Sequence, residues 1–374
     1  METLDNRIQP YAWGSPTAIP TLLGRTPNGA PQAELWLGAH PSAPSTLSSG
    51  VALDVHLAKD PARFLGPRVE HRFGTQLPFL LKVLAAAQPL SLQAHPTLAQ
   101  AKAGFAREET AGLARSAPHR NYKDPNHKPE IICALTPFRA LCGFRARADS
   151  VRLFKGLGLD TSRLEQHGLQ AYFAHVMTLP AAVQGALVDQ LIDAARTPVK
   201  GFEAECALAQ RLATLYPRDV GIVGAMLLNL LTLEPGEALY LDAGNLHAYL
   251  EGTGVELMAN SDNVLRGGLT PKHVDVPELL SVLDFRDGPA RVLRPTGSPE
   301  AIYETPAPDF RLSRLSLDGS YRLAAGLPQI LLVTSGSCEG SGVRLGKGAS
   351  AFIGADEEVT LSGKATLFRA TVGL

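Results

Sequence analysis

Gln93 and His95 stand two residues apart in the segment 91–96 (SLQAHP). On a strand, that spacing turns both side chains to one face. One offers an amide oxygen, the other an imidazole nitrogen. Glu130 closes a second segment, Asn126-His127-Lys128-Pro129-Glu130, and adds a carboxylate. His247 follows the turn Asp242-Ala243-Gly244-Asn245-Leu246 and adds a second imidazole. Two His, one Glu and one Gln suit a divalent zinc with positions left open for substrate. Because Gln is neutral, such a centre keeps a net positive charge and stays electrophilic. Taken singly, each residue has a plainer explanation: a strand end, a surface carboxylate, a satisfied core imidazole. The metal reading rests on their occurring together. Lys82, Lys128, Arg266 and Lys272 lie in or near the same segments. A metal beside several cations predicts an anionic substrate that needs a Lewis acid.

Short strands and turns must position these residues. Residues 1 to about 145 are rich in Pro, Gly and short apolar runs such as 77–84 (LPFLLKVL), which predicts strands and turns. Residues 97 to about 120 are richer in Ala, Glu and Gln and predict one or two short helices. The pattern turns helical near residue 148. Asp149 or Ser150 can cap a helix over 151–155, and Pro180 opens a second through Val183, Ala186, Leu187, Leu191 and Ala194. A third covers 202–215, and Asp219 caps a last run through Met226 and Leu231. Strand patterns return at 238–241, 247–250 and 255–258, then at 330–333 and 359–361.

Composition narrows the function classes. A chain of 374 residues is long for one domain, and two or three are expected. Its formal net charge of −1 gives no global attraction to nucleic acid or to anionic membranes. No apolar run reaches the length of a membrane span, and residues 1–5 (METLD) lack the features of a secretory signal. Cys133, Cys142, Cys206 and Cys338 show no CxxC spacing, which predicts reduced thiols in a cytoplasmic protein. Nothing in the charge distinguishes a monomer from a homodimer.

The turn Pro235-Gly236-Glu237, a strand, and then Asp242-Ala243-Gly244-x-x-His247 are close to a cupin half-motif, in which a tight turn presents a metal-binding His inside a jelly roll. Residues 345–355 (LGKGASAFIGA) repeat the rhythm without a His, predicting a second, metal-free jelly roll. The expected fold is mainly β with a helical insert: two cupin-type jelly rolls plus an α-helical domain. The expected division assigns residues 1–147 and 233–290 to the catalytic roll, 148–232 to the insert and 291–374 to the metal-free roll.

Six segments together resemble the type I mannose-6-phosphate isomerases (phosphomannose isomerases). They are 9–14 (QPYAWG), 33–41 (AELWLGAHP), 78–84 (PFLLKVL), 90–96 (LSLQAHP), 121–130 (NYKDPNHKPE) and 255–272 (VELMANSDNVLRGGLTPK). The resemblance implies one zinc per chain, held by Gln93, His95, Glu130 and His247, and interconversion of mannose 6-phosphate and fructose 6-phosphate. It implies that Arg266 is catalytic and that Lys82, Lys128, Tyr249, Glu256 and Asp262 line the site. Ser91 and Lys272 match positions that hold the phosphate. Thr97 stands where an acidic residue often follows His-Pro, and Asp242 where Asn or Pro is common; neither is a ligand.

The reaction moves a carbonyl between C1 and C2 through a cis-enediol, so a base must sit beside that edge. Glu256 and Lys128 are both candidates. Arg266 stays protonated and suits stabilisation of developing negative charge. Trp13, Glu34 and Trp36 are expected in the pocket wall. Two other classes remain open to a sequence reader. Without Gln93 the ligands are two His and one carboxylate, the set of non-haem iron oxygenases. A non-catalytic sugar-phosphate-binding cupin is the other, though such a protein should have lost a ligand or Arg266.

Overall fold

In the computed structural model, which describes residues 1–374, the strand Phe79–Ala86 shows how one segment serves two cores. Phe79, Leu81, Val83 and Ala85 enter one apolar cluster, while Leu80, Leu84 and Ala86 face the other way. The period of two puts Lys82 on this second face, which is the face of the candidate site.

The first β system is antiparallel and has 11 strands. Its main path runs Val292–Leu293, Ala238–Leu241, Glu130–Ala134, His247–Ala259, Phe79–Ala86, Glu34–Leu37, Arg7–Gln9. Leu92–Ala94, Phe138–Phe144, Leu228–Leu233 and Leu265–Gly268 complete it. The long strand His247–Ala259 belongs to both halves of the roll. Its first part pairs with Phe138–Phe144 and meets Leu92–Ala94 through His247 and Gln93. Its second part pairs with Phe79–Ala86 and Glu130–Ala134. The register shifts between Tyr249 and Glu251, and such a bulge bends a strand. Gly252 follows at φ 121°, where a Cβ would come within 2.7 Å of the Pro137 carbonyl oxygen. Only glycine fits that corner. Between the two halves lie Ile132, Phe138, Leu239 and Tyr249 with their neighbours.

The second sheet has eight strands, drawn mainly from residues 300–371. Its longest ladder joins Arg311–Leu323 to Val359–Thr371. The first strand of the chain, Glu2–Asp5, also belongs to this sheet, pairing with Ser350–Ile353. Ile330, Leu332, Phe352, Phe368 and Ala370 from this sheet share one buried cluster with Leu81, Val83, Val255 and Leu257. Each such side chain contributes roughly 1.5–3 kcal/mol when removed from water. The back of the 11-stranded sheet is therefore covered by the eight-stranded one.

Helices Arg147–Gly156, Ser162–Thr178, Ala181–Ala194, Glu203–Leu215 and Gly221–Met226 pack on the outer face of the other half-sheet. Leu92, Ala94, Leu141, Ala248, Leu250 and Leu265 supply the β side of this core. No single helix is long and apolar enough to cross a membrane.

Several local expectations change. The helical run expected through Leu231 ends at Met226, and Leu228–Leu233 is a strand paired with Phe138–Phe144. The Asn229 amide secures it by donating to the Gly288 carbonyl at 2.8 Å and to Cys142 at 3.1 Å. Residues expected as strands and turns include the helices Leu53–Lys59, Pro61–Leu65 and Pro67–Phe73. Two of these start on Pro, which suits the first helical turn because it needs no N–H there. The first helix of the insert starts at Arg147, whose N–H donates to Asp287 rather than to Asp149 or Ser150. Thr97 caps the helix Leu98–Thr110 through a capping box with Gln100, which gives this departure from the family pattern a local role.

Candidate metal centre and anion pocket

Strand register builds the site. His247 pairs with Gln93, and Gln93 pairs on its other side with Arg266. Directly opposed residues share a face, so the three lie in a row. His95 follows Gln93 by two, just past the strand Leu92–Ala94. Glu130 opens its strand opposite Met258, one side-chain repeat from Glu256. Glu256 in turn faces Lys82, and Lys82 faces Trp36.

His95, Glu130 and His247 bring one ligand atom each to within 4.8 Å of one another, and all three residues are buried. Glu130 Oε1 lies 3.4 Å from His95 Nε2 and 3.0 Å from His247 Nε2. The opposite ring nitrogens face backbone carbonyls: His95 Nδ1 that of Asn263 at 2.7 Å, His247 Nδ1 that of Asn245 at 3.0 Å. A carbonyl can only accept, so each Nδ1 carries the proton and each Nε2 presents a lone pair. Two lone pairs and a carboxylate oxygen then point at one spot, and none of the three atoms has a hydrogen-bond partner. Buried polar atoms are ordinarily satisfied. Three converging orphan acceptors fit a cation, and two imidazoles with a carboxylate fit zinc. Burial and the nearby Lys128 push His95 down to about 4, which keeps its imidazole neutral. Burial alone would raise the Glu130 carboxyl, but the charge beside it, the Lys128 ammonium foremost, holds it well below its ordinary range. Lys128 Nζ sits 3.2 Å from Glu130 Oε2, the oxygen turned away from the imidazoles.

A buried charge row extends from this centre. Lys82 Nζ lies 3.2 Å from Glu256 and 3.4 Å from Glu34, and 5.2 Å above the Trp36 ring. Glu34 also accepts from the Trp36 indole at 2.6 Å. Burial opposes charge on Lys82, but Glu34 and Glu256 outweigh it and keep the ammonium above its ordinary pKa. Burial raises the Glu256 carboxyl despite Lys82, and Glu130 adds to the rise. The Tyr249 hydroxyl is buried without a partner, and burial holds it in the neutral phenol form. Asp262 lies 3.5 Å from His40, which draws its carboxyl below the usual range.

Arg266 is half-buried, and burial is what lowers its pKa. Lys272 is lowered by burial and then by Arg266 and Lys123. Lys272 thus feels the charge of both Arg266 and Lys123, a grouping suited to a dianion. Ser91 stands one residue beyond the Leu92–Gly268 pair, beside the turn that leads to Lys272. Lys123 is absent from the residues singled out by sequence reasoning. It lies in the same segment as Lys128, where a second cation five residues upstream could have drawn notice.

A family model described as phosphomannose isomerase type I, catalytic domain, matches residues 1–147. The mannose-6-phosphate isomerase of Salmonella typhimurium is 40% identical over 401 aligned residues, which cover 99% of each chain. The chain belongs to the type I mannose-6-phosphate isomerase family. Among solved structures of that family, an alanine variant of the Salmonella typhimurium phosphomannose isomerase superposes with a TM-score of 0.92 at 38% identity, covering all of both chains. A zinc-bound mannose 6-phosphate isomerase superposes at 0.91, with 38% identity, over 100% of this chain and 99% of that one. The mannose-6-phosphate isomerase fold, two β rolls and a helical region, is thus shared along the whole length.

Proposed function

We propose that this chain interconverts mannose 6-phosphate and fructose 6-phosphate through a cis-enediol, with one zinc per chain held by Gln93, His95, Glu130 and His247. The observation that carries this is the set of three buried, converging, unpartnered ligand atoms in a chain similar to these isomerases from end to end. Zinc supplies Lewis-acid chemistry at the carbonyl without any change of redox state.

The protein's own groups do the rest. Glu256 is the better proton carrier of the two candidates, because burial raises its carboxyl above the ordinary carboxylate pKa. Lys128 is instead tied to Glu130 at 3.2 Å. Lys82 holds Glu256 in place and limits that rise. Arg266, next to Gln93 in register, donates to oxygen as negative charge develops there. Tyr249, as a neutral phenol, has its hydroxyl free to donate to a sugar oxygen. Asp262 orders the rim through His40. Ser91 and Lys272 grip the phosphate, with Lys123 adding charge.

Lys272→Ala is expected to raise KM for mannose 6-phosphate about tenfold and to leave kcat nearly unchanged. One exposed charge-assisted contact is worth roughly that much. Steady-state kinetics would show it, and an unchanged KM would move the phosphate site elsewhere.

The same reading takes residues 1–147 and 233–290 as the catalytic roll, 148–232 as the helical insert and 291–374 as the metal-free roll, except that the strands Leu228–Leu233 and Val292–Leu293 lie in the first sheet and Glu2–Asp5 in the second. The separate clusters on the two faces of the metal-bearing roll support it. Four buried free thiols support a reducing, cytoplasmic setting, for a monomer or a homodimer.

The deciding experiment is a coupled assay that follows fructose 6-phosphate formed from mannose 6-phosphate, before chelation, after it, and after zinc is returned. Turnover should vanish with the metal and come back with zinc. Stoichiometric zinc without turnover would overturn the substrate assignment and point to another aldose phosphate or to binding alone.

A further inference from the structure

Asn263 is fully buried, yet its side chain meets no group assigned to metal or substrate. Its amide is saturated by a different part of the chain. Oδ1 accepts from the backbone N–H of Lys123 at 2.7 Å and of Asp124 at 3.3 Å. Nδ2 donates to the carbonyls of Asp124 at 2.7 Å and Asn126 at 2.8 Å. The backbone carbonyl of the same residue accepts from His95 Nδ1 at 2.7 Å. One residue therefore touches both the metal-ligand imidazole and the loop that leads to Lys128 and Glu130.

Neighbours reinforce the joint. Ser261 Oγ donates to Asp124 Oδ1 at 2.9 Å and accepts from the Asn263 N–H at 3.2 Å. Asp124 Oδ2 accepts from the Asp262 N–H at 2.8 Å. Arg266 follows three residues later on the strand Leu265–Gly268. Segments 121–127 and 260–264 are more than 130 residues apart in sequence, and these bonds hold them together.

We propose that Asn263 is a positioning residue that sets His95, Glu130 and the loop cations as one unit. Moving its carbonyl turns the His95 ring and withdraws the partner of Nδ1–H, which fixes the tautomer and supports ligand basicity. Releasing its amide frees the loop that carries Lys123 and Lys128 into Glu130. Only an amide provides acceptor and donors at these positions together. An aspartate of the same shape would set an acceptor against two carbonyls. This inference rests on the metal reading above.

The test is zinc affinity of the metal-free protein, measured by competition with a chromophoric chelator at a temperature where circular dichroism shows each variant folded. Asn263→Ala and Asn263→Asp should each bind zinc about 10–100-fold more weakly than the parent, the range found when groups behind metal ligands are lost. Ser261→Ala removes one hydroxyl of the joint and should weaken binding by about threefold to tenfold. It decides the matter if the Asn263 variants do not fold. A purely structural role would lower the melting temperature and leave zinc affinity within about twofold, and that result overturns the proposal. A parent protein that binds no zinc overturns the metal reading itself and this inference with it.

Discussion

His247→Ala should remove zinc and turnover together. His247 Nε2 is one of three buried atoms converging on the centre, and its ring is held by a hydrogen bond to the Asn245 carbonyl. Alanine leaves His95 and Glu130 with Gln93, too few strong donors to retain a zinc against a modest chelator. A Lewis acid supplies several kcal/mol of transition-state stabilisation, and about 1.4 kcal/mol is a tenfold change in rate. Turnover is therefore expected to fall by on the order of a thousandfold or more. Metal analysis of the purified variant and its kcat must move in step. A variant that keeps one zinc per chain and near-parental kcat would remove His247 from the ligand set.

Arg266→Ala should separate metal from rate. Arg266 sits beside Gln93 across one strand pair and is not itself one of the proposed ligands. Burial lowers its pKa with no carboxylate acting to raise it, so its guanidinium is free for substrate oxygen. Loss of one preorganised donor to a developing oxyanion typically reduces kcat by about 10²–10³-fold. The strand Leu265–Gly268 has its own ladder to Leu92–Ala94, so the fold and the zinc should survive. The expected signature is full zinc content, near-normal melting and a kcat lowered by about two to three orders of magnitude. A variant with parental kcat would confine Arg266 to phosphate binding or to structure.

The cluster of His95, Glu130 and His247 was legible because these residues lie in short segments at strand ends. Gln93 and His95 share a face by spacing alone, and the turn before His247 carries its own glycine signal. The buried Lys82 was less legible. An isolated Lys in an apolar run reads as a surface residue whose stem lies along the sheet. Its partners Glu34 and Glu256 come from distant strands, and only the ladder order Glu34–Leu37, Phe79–Ala86, His247–Ala259 brings them to it. The run 220–233 misled for a related reason. It is almost continuously apolar, so period cannot separate a buried helix from a buried strand. The choice between them falls to the partner strand Phe138–Phe144. The joint around Asn263 was invisible because hydrogen bonds between loops leave no periodic trace. The placement of Glu2–Asp5 in the far sheet had no local signal either.

That first strand and the shared apolar cluster have a consequence for how such an enzyme can change over evolutionary time. The eight-stranded sheet carries none of the residues proposed for the site, which would ordinarily make it free to drift or be exchanged. Yet Ile330, Leu332 and Phe368 fill the spaces behind Leu81, Val83 and Leu257, directly beneath the sheet that carries Lys82 and Glu256. The strand Glu2–Asp5 also pairs into the eight-stranded sheet although it lies far in sequence from that sheet's long strands. Recombination at any single crossover point would thus leave one roll incomplete and one sheet bare. The two rolls are bound to be inherited as a pair, and substitutions on the silent one must answer to the active one through the packing they share.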